Sequence, residues 1–151
     1  MQSSPFLPGK PTGFTLLELM VVLALLGVSI SGLIHAARGQ TERMSVLAAR
    51  EAVVGLLHRA RQEAVSRGGS ELVVRTQPPS VSLIAGLDTL TTLGLAADFG
   101  VEISLSRGRE EATLRYGPLG LGQIASQTLR FRKGGSEALL VVSSMGRVTR
   151  R

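Results

Sequence analysis

The sequence predicts an α+β fold in which a long N-terminal helix, transmembrane over its first half, packs on a C-terminal antiparallel β-sheet domain. Three observations predict it. A run from Phe14 to Ile34 is almost wholly apolar and carries one formal charge, Glu18. No Pro occurs between Pro11 and Pro78, and apolar side chains in the later part of that stretch recur at steps of three and four. After Gly69 the pattern changes to short runs rich in Val, Leu, Ile and Thr, separated by turn residues.

Residues 1–13 form a leader with Pro5, Pro8, Gly9 and Pro11 and one cation, Lys10. They show no apolar period. The 21 residues of 14–34 are predicted to be a membrane span, because a helix rising about 1.5 Å per residue crosses a hydrocarbon core of about 30 Å with that length. With Lys10 ahead of the span, the positive-inside bias predicts a cytoplasmic N-terminus, a single pass and an exported C-terminal domain. From His35 the helix becomes amphipathic. Val46, Ala49, Val53, Leu56, Ala60 and Ala64 mark one face, with Arg43, Arg50, His58 and Arg61 on the other side. Gly68 and Gly69 supply the stop. The whole helix, 14–68, would be roughly 80 Å long at 1.5 Å per residue.

Over 69–151, a β-rich domain, the predicted strands are 71–76, 80–84, 101–106, 113–116, 128–132 and 139–143. Turn chemistry falls at Pro78-Pro79, Arg107-Gly108, Gly117-Pro118, Gly134-Gly135 and Met145-Gly146. An antiparallel sheet covering the second half of the helix follows. Residues 86–100 are apolar but poorly patterned, and both a loop and a short strand fit them.

Composition narrows the functional classes. At 151 residues the chain supports one modest domain with appendages, and with 44% hydrophobic but only 3% aromatic residues its core is aliphatic. Cys is absent, which excludes disulfides, thiolate metal ligands and cysteine nucleophiles. The net charge of +6 is concentrated near the C-terminus, where Arg130, Arg132, Lys133, Arg147, Arg150 and Arg151 face only Glu137. His35 and His58 are too far apart along one helix to share a metal. The stretch Gly117 to Gly122 lacks the Lys and the flanking strand and helix of a phosphate loop. Ser143 and Ser144 sit in no nucleophile motif. No catalytic residue, metal site, cofactor or small-molecule substrate is expected.

The junction Gly13-Phe14-Thr15-Leu16-Leu17-Glu18-Leu19, followed by Met20 to Gly27, resembles the leader junction and N-terminal helix of type IV pilins and type II secretion pseudopilins. The resemblance implies a pilin-like fold and cleavage between Gly13 and Phe14 by a prepilin peptidase. It also implies N-methylation of Phe14, and assembly with other pilin or pseudopilin subunits in which Thr15 and Glu18 take part. Glu18 is notable on physical grounds too, since a carboxylate in a bilayer costs at least about 2.5–3.5 kcal/mol and calls for a partner. The resemblance supplies one, the N-terminal ammonium of a neighbouring subunit. A secretory signal cut near Ala36 is the rival reading, but Glu18 interrupts its apolar region and Ile34 is large for the outer cleavage position.

Farther along, Thr128 to Arg132, Leu139 to Ser144 and Gly146-Arg147-Val148 resemble the ending of the GspH/FimT family of minor pilins and pseudopilins. A GspH-like chain would join the tip of a secretion pseudopilus to its shaft from the inner membrane, with its domain in the periplasm. A FimT-like chain would be a minor type IV pilin that binds DNA for natural transformation. For that reading Arg147, Arg150 and Arg151 are the candidates for DNA or for an acidic partner, since arginines neutralise phosphates without reading sequence.

Overall fold

A computed structural model describes residues 15–123 and 126–151, with the side chains of 30–37 outside that description. The leader 1–13 and Phe14 lie outside the described residues, as do parts of the expected span 14–34. Among the described residues no helix is long and apolar enough to cross a membrane. The chain divides into two compact units, one ending at Ala37 and one running from Arg38 to Arg151.

The first helix, α1, runs Leu16–Arg67 over 52 residues. In the first unit it opens on Thr15, whose Oγ1 accepts a hydrogen bond from the Glu18 backbone N–H at 3.2 Å. This is N-cap geometry, which satisfies one of the donors that a helix start leaves free. From Leu16 to Val28 the side chains are exposed and, Glu18 apart, have no charged face. A helix apolar all round is built for lipid or for other helices.

In the second unit α1 buries Val46, Ala49, Val53, Val54, Leu57, Ala60 and Ala64. Leu56, expected on this face, is only half-buried, and Leu57 takes the central place. The helix ends as expected, with Gly68 at φ +81°. Among the described residues eight strands follow: β1 (Ser70–Thr76), β2 (Pro79–Ala85), β3 (Asp88–Gly94), β4 (Glu102–Leu105), β5 (Glu111–Tyr116), β6 (Gln127–Lys133), β7 (Ser136–Val142) and β8 (Val148–Arg150). A short helix, α2 (Leu95–Phe99), links β3 to β4, and a 3-10 turn, Ser106–Gly108, links β4 to β5.

The strands form two four-stranded sheets, ordered β3-β2-β1-β5 and β4-β6-β7-β8, with every pairing antiparallel. This corrects the expectation of one sheet. β1 and β2 are the interior strands of the first sheet and β6 and β7 those of the second, each with a partner on both sides. Alternation is strict where it matters: Leu72 and Val74 of β1, Leu129 and Phe131 of β6, and Leu140 and Val142 of β7 are buried and join the helix face in one aliphatic core around Phe131. On the outer face of the first sheet, directly opposed residues pair by charge, Glu71 with Arg115 at 2.9 Å and Arg75 with Glu111 at 2.8 Å. Such exposed cross-strand pairs support register more than stability.

Polar ties fix α1 to the turn between β6 and β7. Lys133 Nζ donates to Ser45 Oγ at 3.0 Å and to the Phe99 carbonyl at 2.6 Å, while the Glu42 carboxylate accepts from Gly135 N–H at 3.2 Å. At the other end of this helical half, Ser70 Oγ donates to the Ala60 carbonyl at 2.6 Å. The Lys133 and Gly135 bonds tie the helix to the second sheet, and the Ser70 bond ties it to the first.

Candidate functional site

The structure separates the described candidate residues into three places. In the first unit Thr15 and Glu18 occupy the first turn of α1, with the Thr15 hydroxyl bound to the Glu18 backbone. Thr-x-x-Glu is the capping-box spacing, and an acid in the first turn is favoured by the helix dipole. Gly13 and Phe14 lie outside the described residues.

In the second unit a groove of about 470 Å³ is bounded by α1, the loop 117–122 and the turn 143–147. Glycines let its walls meet. Gly146, at φ +81°, sits where a Cβ would be 2.9 Å from Tyr116 Cε1, and Gly120, at φ +70°, sits where one would be 2.9 Å from Arg61 Cγ. Glycine alone combines that left-handed backbone with so close an approach. The turn is tied by Ser143, which donates N–H to the Arg147 carbonyl at 2.9 Å and accepts from Arg147 N–H through its hydroxyl at 3.0 Å. The expected loop at Gly117 to Gly122 is therefore a wall of the groove rather than a phosphate cradle.

Arg61 is the centre of this region, and helical spacing had placed it on the solvent side. It is half-buried: Nη2 donates to the Gly146 carbonyl at 2.9 Å, and the guanidinium stands 5.7 Å from the centroid of the Tyr116 ring, within cation–π range. Burial raises the Tyr116 pKa above its ordinary value, and the Arg61 charge offsets part of that rise. The Tyr116 hydroxyl and Arg61 Nε are buried without hydrogen-bond partners.

The three C-terminal arginines have different surroundings. Arg147 and Arg150 line the groove with Arg61 and His58, but the Arg150 Nε lies 3.1 Å from both Glu51 oxygens and is thereby paired. Desolvation acts to raise the Glu51 pKa, yet hydrogen bonds and charge from Arg50 and Arg150 outweigh it and hold the carboxyl below its usual range. Arg147 is exposed, and its guanidinium has no ion-pair partner among the described residues. Arg151 lines a separate hollow with Arg43, Arg50 and Glu137, and its backbone pairs with Leu139. Among the described residues no group of His, Cys, Asp or Glu is arranged to hold a metal ion. Sequence reasoning missed Arg61 and His58 as groove residues; the helical period shows a face but not the loops that fold over it.

A family model described as the prokaryotic N-terminal methylation motif matches residues 10–34. The structure is similar to the crystal structure of the type IV minor pilin FimU of Pseudomonas aeruginosa, with a TM-score of 0.57 and 18% identity over 72% of this chain and 90% of that one. The fold is pilin-like. No curated protein matches its sequence. The chain thus carries the methylation motif on a pilin-like fold. The motif implies processing by a prepilin peptidase, assembly with other pilin subunits and a membrane anchor.

Proposed function

We propose that this pilin-like chain is a minor pseudopilin of a type II secretion system, GspH-like in role, that joins the pseudopilus tip to its shaft for protein export. In this reading it is cleaved between Gly13 and Phe14, methylated on Phe14, and held in the inner membrane with its C-terminal domain in the periplasm. One observation carries the subunit role. Glu18 is a lone carboxylate in the first turn of a capped helix whose surrounding side chains are apolar and exposed. Such a group is costly in lipid until it meets a cation, and cleavage ahead of Phe14 creates one on every neighbouring subunit. Thr15 supports the pairing by fixing the helix start from which Glu18 projects. The ending Gly146-Arg147-Val148, which resembles that of the GspH/FimT family, supports a minor pilin or pseudopilin; Gly146 and Arg147 form the groove turn, and Val148 opens β8.

The test is the intact mass and N-terminal sequence of the membrane-purified protein from hosts with and without prepilin peptidase, paired with filament incorporation of Glu18→Ala. Peptidase-dependent loss of residues 1–13 with one added methyl, and loss of incorporation by Glu18→Ala, are expected. An intact leader or a cut near Ala36 would sink the reading. Complementation of a secretion strain lacking its own minor pseudopilin then tests the export role, with restored secretion the expected outcome.

A second reading is favoured by Arg147, which has no ion-pair partner among the described residues: a FimT-like minor type IV pilin that binds DNA. Likeness to a minor type IV pilin also supports a pilus. Its signature is binding to duplex DNA that weakens with salt and is lost in Arg147→Glu.

A further inference from the structure

The groove combines cationic and aliphatic chemistry in a way that neither core packing nor solubility requires. Leu119 is 82% exposed, Leu121 59% and Met145 77%, so three large apolar side chains stand in water at its rim. They flank Gly120 and Gly146, the residues that close on Arg61. The floor is positive: Arg61 contributes a half-buried guanidinium whose buried Nε has no partner among the described residues, Arg147 contributes an exposed one with no carboxylate beside it among the described residues, and His58 stands at the edge. A solvated basic edge would have no reason to carry the leucines. An aliphatic docking face would have no reason to leave Arg147 free. The two together fit a ligand that brings a carboxylate flanked by aliphatic side chains.

We propose that the groove docks an acidic, aliphatic segment of a neighbouring subunit, with carboxylates meeting Arg147 and Arg61 and aliphatic side chains covering Leu119, Leu121 and Met145. The proposal rests on the filament-subunit reading and assigns it a specific contact. Nucleic acid fits less well. A phosphate backbone makes no use of three exposed aliphatic side chains, and the aromatic ring at the groove is Tyr116, 2% exposed and covered by Arg61, so no face is open for a base to stack on. An acidic segment matches both halves of the surface, and charge complementarity of this kind gives orientation as well as attraction.

The experiment uses the full-length chain in detergent and fluorescence anisotropy with three labelled probes: a peptide alternating Leu and Glu, an equally acidic peptide of Ser and Glu, and a short DNA duplex. The Leu–Glu peptide is expected to bind, and to bind about tenfold more tightly than the Ser–Glu peptide, the factor that burying one or two aliphatic side chains supplies. Arg147→Glu and the pair Leu119→Ser with Met145→Ser are each expected to weaken it about tenfold or more, whereas Arg107→Glu, on the 3-10 turn, leaves it unchanged. All the substituted side chains are exposed, so unfolding midpoints within the wild-type range check that a loss is local. Equal binding of both peptides, no binding of either, or duplex binding that needs Arg147 but not Leu119 and Met145 overturns the proposal. Filament incorporation keeps the two ideas separable. If wild-type protein incorporates in a Glu18-dependent way while the Leu–Glu peptide fails to bind, the groove assignment falls and the subunit reading stands.

Discussion

Gly122→Ala is expected to open the groove from within. Gly122 has an ordinary backbone conformation, so its constraint is purely steric: a Cβ there would lie 2.6 Å from Gly146 N, 2.9 Å from the Met145 carbonyl carbon and 3.0 Å from Gly146 Cα. These are backbone atoms and cannot swing aside. Ordinary separations are about 3.5–4.0 Å, so the turn 143–147 must retreat by up to about 1 Å. The Gly122 N–H to Met145 carbonyl bond is already long at 3.4 Å. The bond at risk is Arg61 Nη2 to the Gly146 carbonyl, 2.9 Å, and a hydrogen bond from a charged group contributes about 1.5–3 kcal/mol. Overpacking alone costs about 1–3 kcal/mol. One displacement relieves the clash and breaks the bond, so the two do not add, and a loss of about 2 kcal/mol is expected. Gly135→Ala is the control, since nothing lies within 4 Å of its Cβ position; it should change stability by less than about 1 kcal/mol and in the stabilising direction. Urea unfolding of the full chain in detergent measures both. The chain has one Tyr and no Trp, so intrinsic emission reports on Tyr116 itself. Gly122→Ala with wild-type stability and unchanged tyrosine emission would refute the argument that this backbone approach builds the groove.

Three further outcomes are expected. Phe131→Ala, at the centre of the core, should cost about 3–5 kcal/mol, measured as a shift in urea midpoint at constant slope. Lys133→Met should cost about 1–3 kcal/mol by leaving the Phe99 carbonyl without its donor, and Arg130→Met, which removes only an exposed pair with Glu137, should cost less than about 1 kcal/mol in the same assay. Glu51 has a depressed pKa in the folded state, so its contribution is present above the ordinary carboxylate range and is lost as pH falls through the lower folded value. The gap between wild type and Glu51→Gln should therefore be below about 1 kcal/mol at pH 7, because the pair is exposed, and should close in acid; a gap that persists at low pH would assign it to packing.

Much of this architecture was legible in the residues. The helix end at Gly68 followed from glycine chemistry, and the places of β1, β6 and β7 followed from runs rich in Val, Leu, Ile and Thr between turn residues. β3 was left undecided because it is an edge strand, half-exposed on both faces, joined to β2 across a register shift between Leu83 and Ile84. β8 is three residues long, too short for any period to show. Alternation also says which way a side chain points without saying which strand lies beside it, so one sheet was expected where two occur. Among site residues, Thr15 came only with the family resemblance, whereas Glu18 stood out because a charge interrupts an apolar setting. Arg61 did not, because its burial is made by loops some 55 to 85 residues away in sequence, through Tyr116 and Gly146.

The ties that hold α1 to the second sheet impose an order on biogenesis. Glu42 is bonded to Gly135, Ser45 to Lys133 and Glu51 to Arg150, separations of 93, 88 and 99 residues. The helical half is synthesised before any of its fastenings exist. Its stripe of Val46, Val53 and Leu57 lacks part of its core until β6 and β7 arrive. Contacts of such sequence separation close slowly and leave apolar surface open to misassembly. A nascent chain stopped anywhere before Lys133 is thus a substrate for chaperones and proteases rather than a smaller version of the subunit, and truncation from the C-terminus should be tolerated far less well than loop insertion at Leu87, a fully exposed hairpin tip.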